Sequence, residues 1–171
     1  MLLFNISKNI KILKTYNLKK DKFFSSLTFN SKLTNNKTIF IYENNSKTKI
    51  DYLNEAVRNK TPAIITNEYH KSIKVPQFIV SDINKEIGKL IKNIYKYLPY
   101  KSIAITGTNG KTSVVWYLSQ ILTLLKYNNA TVGTLGYYEN GKKINDTSLT
   151  TPVFEELYKY ANSNTKKNKI F

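Results

Sequence analysis

The sequence contains no cysteine and only one histidine, His70, among its 171 residues. Disulfide bridges, thiolate metal sites and cysteine nucleophiles are therefore excluded, and a single histidine argues against a histidine metal cluster or a Ser-His-Asp triad. No apolar run reaches the length of a membrane span, and residues 1–20 lack the continuous apolar stretch of a secretory signal. These absences predict a cytoplasmic protein without a membrane partner.

Acidic residues are also scarce, with 11 Asp and Glu against 27 Lys and Arg and a formal net charge of +16. Such an excess can indicate a polyanionic partner such as nucleic acid. The lysines are nevertheless spread along the whole chain, and Lys166, Lys167 and Lys169 form only a short basic cluster. We therefore interpret the charge as compositional bias and expect no nucleic-acid partner. A non-enzymatic basic module that binds nucleic acid stays as an alternative.

The first 99 residues alternate between short apolar runs and polar connections. β-Branched and aromatic residues predict strands over residues 38–42, 62–66 and 77–80. Apolar residues at helical spacing predict a helix over residues 51–59 and a longer one that begins near Ser81-Asp82 and ends before Pro99. This order predicts a small α/β domain over residues 1–99.

Residues 100–171 show the order strand, loop, helix, strand. We predict a buried strand over 102–106, a tight turn over 107–111, a helix over 112–127, a strand over 130–136 and a further helix from Val153. This is the first βαβ part of a parallel-sheet domain of the P-loop type. The helix residues expected to face inward are Val115, Leu118, Ile121, Leu122 and Leu125.

The clearest chemical signal lies between the predicted strand and helix, in the run Thr106-Gly107-Thr108-Asn109-Gly110-Lys111-Thr112-Ser113. Glycine permits backbone conformations in which consecutive N–H groups surround a phosphate, and the helix N-terminus adds positive potential. A lysine reaches the β- and γ-phosphates and a threonine hydroxyl binds Mg²⁺. The general motif has a further glycine where this chain has Ile105. The residues predicted to bind ATP are Gly107, Thr108, Asn109, Gly110, Lys111, Thr112 and Ser113, with Thr112 also binding Mg²⁺.

Residues 105–112 resemble the ATP-binding signature of the Mur ligases and of their folylpolyglutamate synthase relatives, with Ala104 where many members have glycine. Residues 131–137 and the run Leu149-Thr150-Thr151-Pro152 resemble the branch that adds the third peptide residue, often meso-diaminopimelate or lysine. In the N-terminal part, Ser31 alone matches a family Asp-Ser-Arg motif exactly.

The resemblance implies an ATP- and Mg²⁺-dependent carbon–nitrogen ligase of peptidoglycan precursor synthesis that uses UDP-MurNAc-L-Ala-D-Glu and an acyl-phosphate intermediate. Residues 1–99 would form the UDP-substrate domain and residues 100–171 the start of the ATPase domain. The C-terminal amino-acid-binding domain would be absent, so we expect no turnover by this chain alone. Substrate contacts are expected from Ser31, Thr150 and Thr151. A folylpolyglutamate-type ligase or a small kinase is the enzymatic alternative.

Overall fold

The structure is a computed structural model that describes residues 1–45, 48–96, 99–147, 152–162 and 170–171. It divides into two compact units, Met1–Ile94 and Tyr95–Phe171. The division falls a few residues before Pro99-Tyr100, where the sequence places the domain boundary. Within the described ranges, no helix has both the length and the apolar character needed to cross a membrane.

The first unit is built on a five-stranded sheet. Its strands are β1 (Lys14–Tyr16), β2 (Ser26–Thr28), β3 (Thr38–Tyr42), β4 (Ile64–Thr66) and β5 (Gln77–Ile79), and its helices are α1 (Ile50–Arg58) and α2 (Ile83–Ile94). The sheet order is β1-β5-β4-β3-β2. Strands β2 to β5 are parallel and β1 pairs antiparallel with β5.

Every residue of the three central strands is buried, as is typical of a parallel sheet that is covered on both faces. Helix α1 contributes Leu53 and Ala56 to a core cluster that also contains Phe40 and Ile64. Asp82 accepts a hydrogen bond from the Lys85 amide, 2.9 Å away, at the start of α2. The strands and helices predicted for this unit are confirmed, apart from shifts of a few residues at their ends.

The second unit contains α3 (Lys111–Leu124), β6 (Ala130–Gly133), β7 (Gly136–Glu139), β8 (Lys142–Asn145) and α4 (Phe154–Asn162). Strands β6, β7 and β8 form an antiparallel meander. A buried hydrogen bond of 2.7 Å from the Ser119 hydroxyl to the Asn129 side-chain oxygen joins α3 to the start of β6. The mixed α/β class predicted for the chain is confirmed.

Two predicted strands of this unit differ from the structure. Residues 102–106 do not form a strand, because in the described part of the chain only Phe171 makes a backbone–backbone hydrogen bond with them. Ile103 donates to the Phe171 carbonyl at 2.7 Å, and Ile170 makes parallel bridges to both Lys101 and Asn129. The strand predicted over 130–136 is interrupted after Gly133, where a two-residue turn starts the hairpin.

The inward face predicted for α3 is also partly wrong. Ile121 is 52% exposed and Leu125 is 62% exposed. Three other residues of the predicted set do face the protein, because Val115, Leu118 and Leu122 line a groove of about 570 Å³ between residues 102–105 and β6. The helix therefore has apolar side chains on a protected side and on an exposed side.

Candidate functional site

The glycine-rich turn leads directly into helix α3. Gly107 has φ of +151° and Gly110 has φ of +77°, so both adopt backbone conformations that favour glycine. Gly110 is the N-cap residue of α3, and Lys111 is the first residue of the helix. The first amides of a helix have no carbonyl partner within the helix, and their dipoles add positive potential at this end. The turn therefore has the backbone arrangement of an anion site.

The Lys111 side chain folds back over the same turn. Its ammonium group donates to the Gly107 carbonyl at 2.5 Å and to the Thr108 carbonyl at 3.3 Å. Both bonds are exposed. A phosphate at the turn can therefore attract the ammonium without the loss of any buried interaction.

Thr112, the second residue of α3, faces the hairpin turn between β6 and β7. Its Oγ1 atom lies 3.5 Å from Oγ1 of Thr134. Both threonines line a small cavity of about 90 Å³ together with Lys111. Hydroxyl oxygens are ligands that Mg²⁺ accepts, so this side of the turn can take a metal–phosphate group. The site thus includes a residue, Thr134, that the loop motif does not identify.

Trp116 lies one helical turn beyond Thr112 and lines the same cavity. Its ring makes an edge-to-face contact with Tyr138 of β7, with the ring centroids 5.2 Å apart. The Trp116 ring therefore packs against β7 within this unit. Because Trp116 is the only tryptophan of the chain, its fluorescence is a specific reporter of this cavity.

The arrangement can bind a phosphorylated ligand, but the described residues contain no cluster of three or more His, Asp or Glu side chains that could hold a metal ion. Thr112 Oγ1 and phosphate oxygens of a ligand are the oxygen atoms that this turn can offer to a divalent cation. Mg²⁺ commonly binds to proteins together with the phosphate groups of a substrate.

Of the residues expected to contact the sugar–peptide substrate, only Ser31 lies in the described part. Its side chain is buried in the first unit and its hydroxyl donates to the Glu55 carboxylate. Its carbonyl accepts from the Thr34 hydroxyl at 2.5 Å and from the Asn59 amide at 3.0 Å. These bonds give Ser31 a structural role in joining a short 3₁₀ turn to α1. Thr150 and Thr151 lie outside the described residues.

Residues 105–170 match a family model described as the Mur ligase middle domain. The chain is 31% identical over 157 residues to the UDP-N-acetylmuramoyl-L-alanyl-D-glutamate–2,6-diaminopimelate ligase of Rickettsia prowazekii, which covers 86% of this chain and 32% of the relative. It is 30% identical to ligase 2 of the same name from Clostridium acetobutylicum, over 77% of this chain and 29% of the relative. The chain thus spans about a third of the length of these curated relatives.

Solved structures show the same fold. A UDP-N-acetylmuramoyl-L-alanyl-D-glutamate–2,6-diaminopimelate ligase superposes with a TM-score of 0.63 at 19% identity, covering 86% of this chain and 31% of that one. MurF from Acinetobacter baumannii superposes with a TM-score of 0.62 at 15% identity, covering 98% of this chain and 34% of that one.

Proposed function

The chain belongs to the Mur ligase family, and on that premise we propose that it carries the nucleotide-binding turn of an ATP-dependent ligase. The proposed ligase adds the third residue to the peptide of UDP-MurNAc-L-Ala-D-Glu. The observation that carries the proposal is the turn from Gly107 to Thr112, whose glycines, lysine and helix N-terminus converge on one exposed point. The names of the sequence relatives support the substrate class.

In this proposal the turn binds the triphosphate of ATP. The backbone amides of residues 107–113 donate to phosphate oxygens, and Gly107 and Gly110 allow the backbone to curve around them. Lys111 exchanges its bonds to the Gly107 and Thr108 carbonyls for the β- and γ-phosphates. Asn109 and Ser113 complete the set of residues proposed for ATP binding.

Thr112 is proposed to hold Mg²⁺ through its hydroxyl. When bound, the metal neutralises phosphate charge and polarises the γ-phosphate. In the proposed reaction a substrate carboxylate oxygen attacks the γ-phosphorus, and ADP leaves with the electrons of the broken P–O bond. An amine then attacks the acyl carbon, the C–O bond to phosphate breaks, the amine proton passes to the released phosphate or to solvent, and an amide bond forms. Because ATP is consumed, we propose the cytoplasm as the compartment.

The first unit is proposed as the domain that binds the UDP-sugar part of the substrate. Ser31, Thr150 and Thr151 are the residues proposed for substrate binding. For Ser31, the internal bond to Glu55 implies that a bound ligand would meet the backbone of this turn or would have to replace that carboxylate. The Thr150 and Thr151 hydroxyls are proposed to contact the sugar–peptide part.

Trp116 fluorescence provides the direct test of nucleotide binding. Titration with MgATP is expected to change the emission of the intact chain with saturation. Lys111→Ala should weaken binding at least about tenfold, because one charge-assisted contact to phosphate is lost, and should leave the circular dichroism spectrum unchanged. Lys142→Ala, at an exposed lysine of β8, is the control and should bind normally. Wild-type protein that shows no saturable binding of ATP would overturn the proposal.

The alternatives give different outcomes in the same assay. A folylpolyglutamate-type ligase would also bind ATP through Lys111, but folate rather than UDP-MurNAc-dipeptide would increase the affinity for nucleotide. A nucleic-acid-binding module would bind DNA or RNA in a salt-sensitive way, and this binding would survive Lys111→Ala.

A further inference from the structure

The hairpin turn between β6 and β7 is fixed within the meander by contacts on both of its sides. Gly133 pairs with Gly136 across the turn. The Gly133 carbonyl accepts from the Thr147 hydroxyl at 2.5 Å. A Cβ atom on Gly136 would lie 2.6 Å from the Asn145 carbonyl oxygen. The backbone of β8 is therefore so close to this position that only glycine fits there. The position of Thr134 is therefore set by the backbone of the whole meander.

Thr134 faces Thr112 across the cavity. Their hydroxyl oxygens are 3.5 Å apart, a distance that places both groups within reach of one small ligand. Thr134 is exposed, so a ligand in solution can reach it. The two residues are 22 positions apart in sequence, and they belong to different elements.

We propose that the Thr134 hydroxyl is a second binding group for the metal-bound end of the triphosphate, acting beside Thr112. The inference rests on the proposed nucleotide site and extends it to the β6–β7 turn. Mg²⁺ takes oxygen ligands and usually keeps several waters, so a second hydroxyl can bind it directly or hold one of its waters.

This role differs from that of the glycine-rich turn. Lys111 and the loop amides recognise phosphate whether or not a metal is present. Thr134 should contribute to the affinity for ATP only when Mg²⁺ is bound to the nucleotide. The ratio between the Kd for ATP in EDTA and the Kd for ATP in excess Mg²⁺ therefore separates the two contributions.

The test uses the intact chain and Trp116 fluorescence, with Kd values measured in both conditions. Thr134→Val keeps the branched shape and removes the hydroxyl. We expect it to weaken MgATP binding about tenfold, the effect of one hydrogen bond to a charged group, and to change binding in EDTA less than about twofold. Thr134→Ser restores the hydroxyl and should restore the Mg²⁺ dependence.

Three results would overturn the inference. MgATP binding by Thr134→Val could equal that of the wild type, or it could weaken equally with and without Mg²⁺, which would indicate only a structural role in the turn. Serine could also fail to restore the Mg²⁺ dependence. In each case Lys111→Ala would still weaken ATP binding, so the proposed nucleotide site would stand. Loss of ATP binding in the wild type would instead reject the proposed function.

Discussion

The two units of this chain differ sharply in how completely their apolar residues are buried. All buried hydrophobic side chains of the described residues lie in the first unit, except Tyr95, Ala130, Tyr137 and Ala161. In the second unit, α3 exposes a whole apolar stripe. Its members are Val114 (51% exposed), Tyr117 (67%), Ile121 (52%) and Leu124 (81%). The better packed unit is therefore not the one that carries the clearest chemical motif.

This difference shows that a recognisable site does not require a complete core around it. A phosphate-binding turn consists of consecutive residues, so its backbone geometry depends mainly on two glycines and on the first turn of a helix. A sugar–peptide site depends on loops that a folded sheet brings together. In the first unit the residues form a well-packed sheet, yet no run of neighbouring residues identifies the chemistry of its ligand.

The largest expected effect comes from removing a core side chain of the first unit. Phe40 is 1% exposed and packs in the cluster with Leu53, Ala56 and Ile64. Phe40→Ala should lower the free energy of unfolding by about 3–5 kcal/mol, because it removes apolar contacts and leaves a cavity. Urea unfolding followed by circular dichroism measures this change.

Leu124→Ala in α3 is the matched test in the second unit. Its side chain is 81% exposed, so the substitution should change the free energy of unfolding by less than about 0.5 kcal/mol. An equal loss of stability in the two variants would mean that the exposed stripe of α3 is covered in solution. The two units would then not differ in how completely their apolar side chains are buried.

Much of the first unit could be predicted from the sequence because its central strands are uniformly apolar and its helices have one apolar face. Strands β1 and β2 were not predicted, since Lys14–Tyr16 and Ser26–Thr28 are short and largely polar. Strand β8 has four exposed residues and no apolar pattern. Its existence follows from hairpin pairing with β7 rather than from its own side chains.

In the second unit, the prediction failed where a segment depends on distant neighbours. Residues 102–106 have the composition of a buried strand, but a strand also needs partners for its backbone groups. The turn after Gly133 divides residues 130–136, whose composition predicts a single strand. The glycine-rich turn could be predicted from the sequence because its residues are adjacent in the chain. Thr134 could not, because it reaches the cavity only through the pairing of β6 with β7.

The next largest effect is expected where β7 and β8 approach each other closely. Gly136 has φ of +120°, and a Cβ atom there would meet the Asn145 carbonyl oxygen at 2.6 Å. Gly136→Ala should therefore cost about 2–3 kcal/mol through backbone strain and steric conflict. Because Tyr138 of β7 contacts Trp116, thermal unfolding followed by tryptophan fluorescence reports the effect within this unit.

Gly141 provides the control for Gly136. It also has a positive φ, +77°, but a Cβ atom there would have no neighbour within 4 Å. Gly141→Ala should cost only about 1 kcal/mol, the usual penalty of a left-handed conformation. Equal costs at the two positions would show that β8 can move away from β7, and that the hairpin does not fix the position of Thr134.

The smallest expected effect compares one buried and one exposed ion pair. In the first unit, Glu86 is 5% exposed at its side chain and accepts from the Lys89 ammonium at 2.7 Å and from the Lys11 amide at 2.7 Å. The hydrogen bond from Lys89, followed by that from Lys11, lowers the pKa of the Glu86 carboxyl, while burial opposes the shift. In the second unit, Asp146 pairs with Lys143 at 2.5 Å, but its side chain is 89% exposed.

A carboxyl whose pKa is lower in the folded state stabilises the fold above its unfolded pKa of about 4.5 and loses that contribution as the pH falls through the folded pKa. Glu86→Gln should therefore destabilise the chain by about 1 kcal/mol at pH 7, and the difference should shrink below pH 4.5. Asp146→Asn should change stability by less than about 0.5 kcal/mol at any pH, because solvent screens an exposed pair. Urea unfolding at several pH values measures both variants. A pH-independent loss in Glu86→Gln would mean that the side chain contributes by packing rather than by charge.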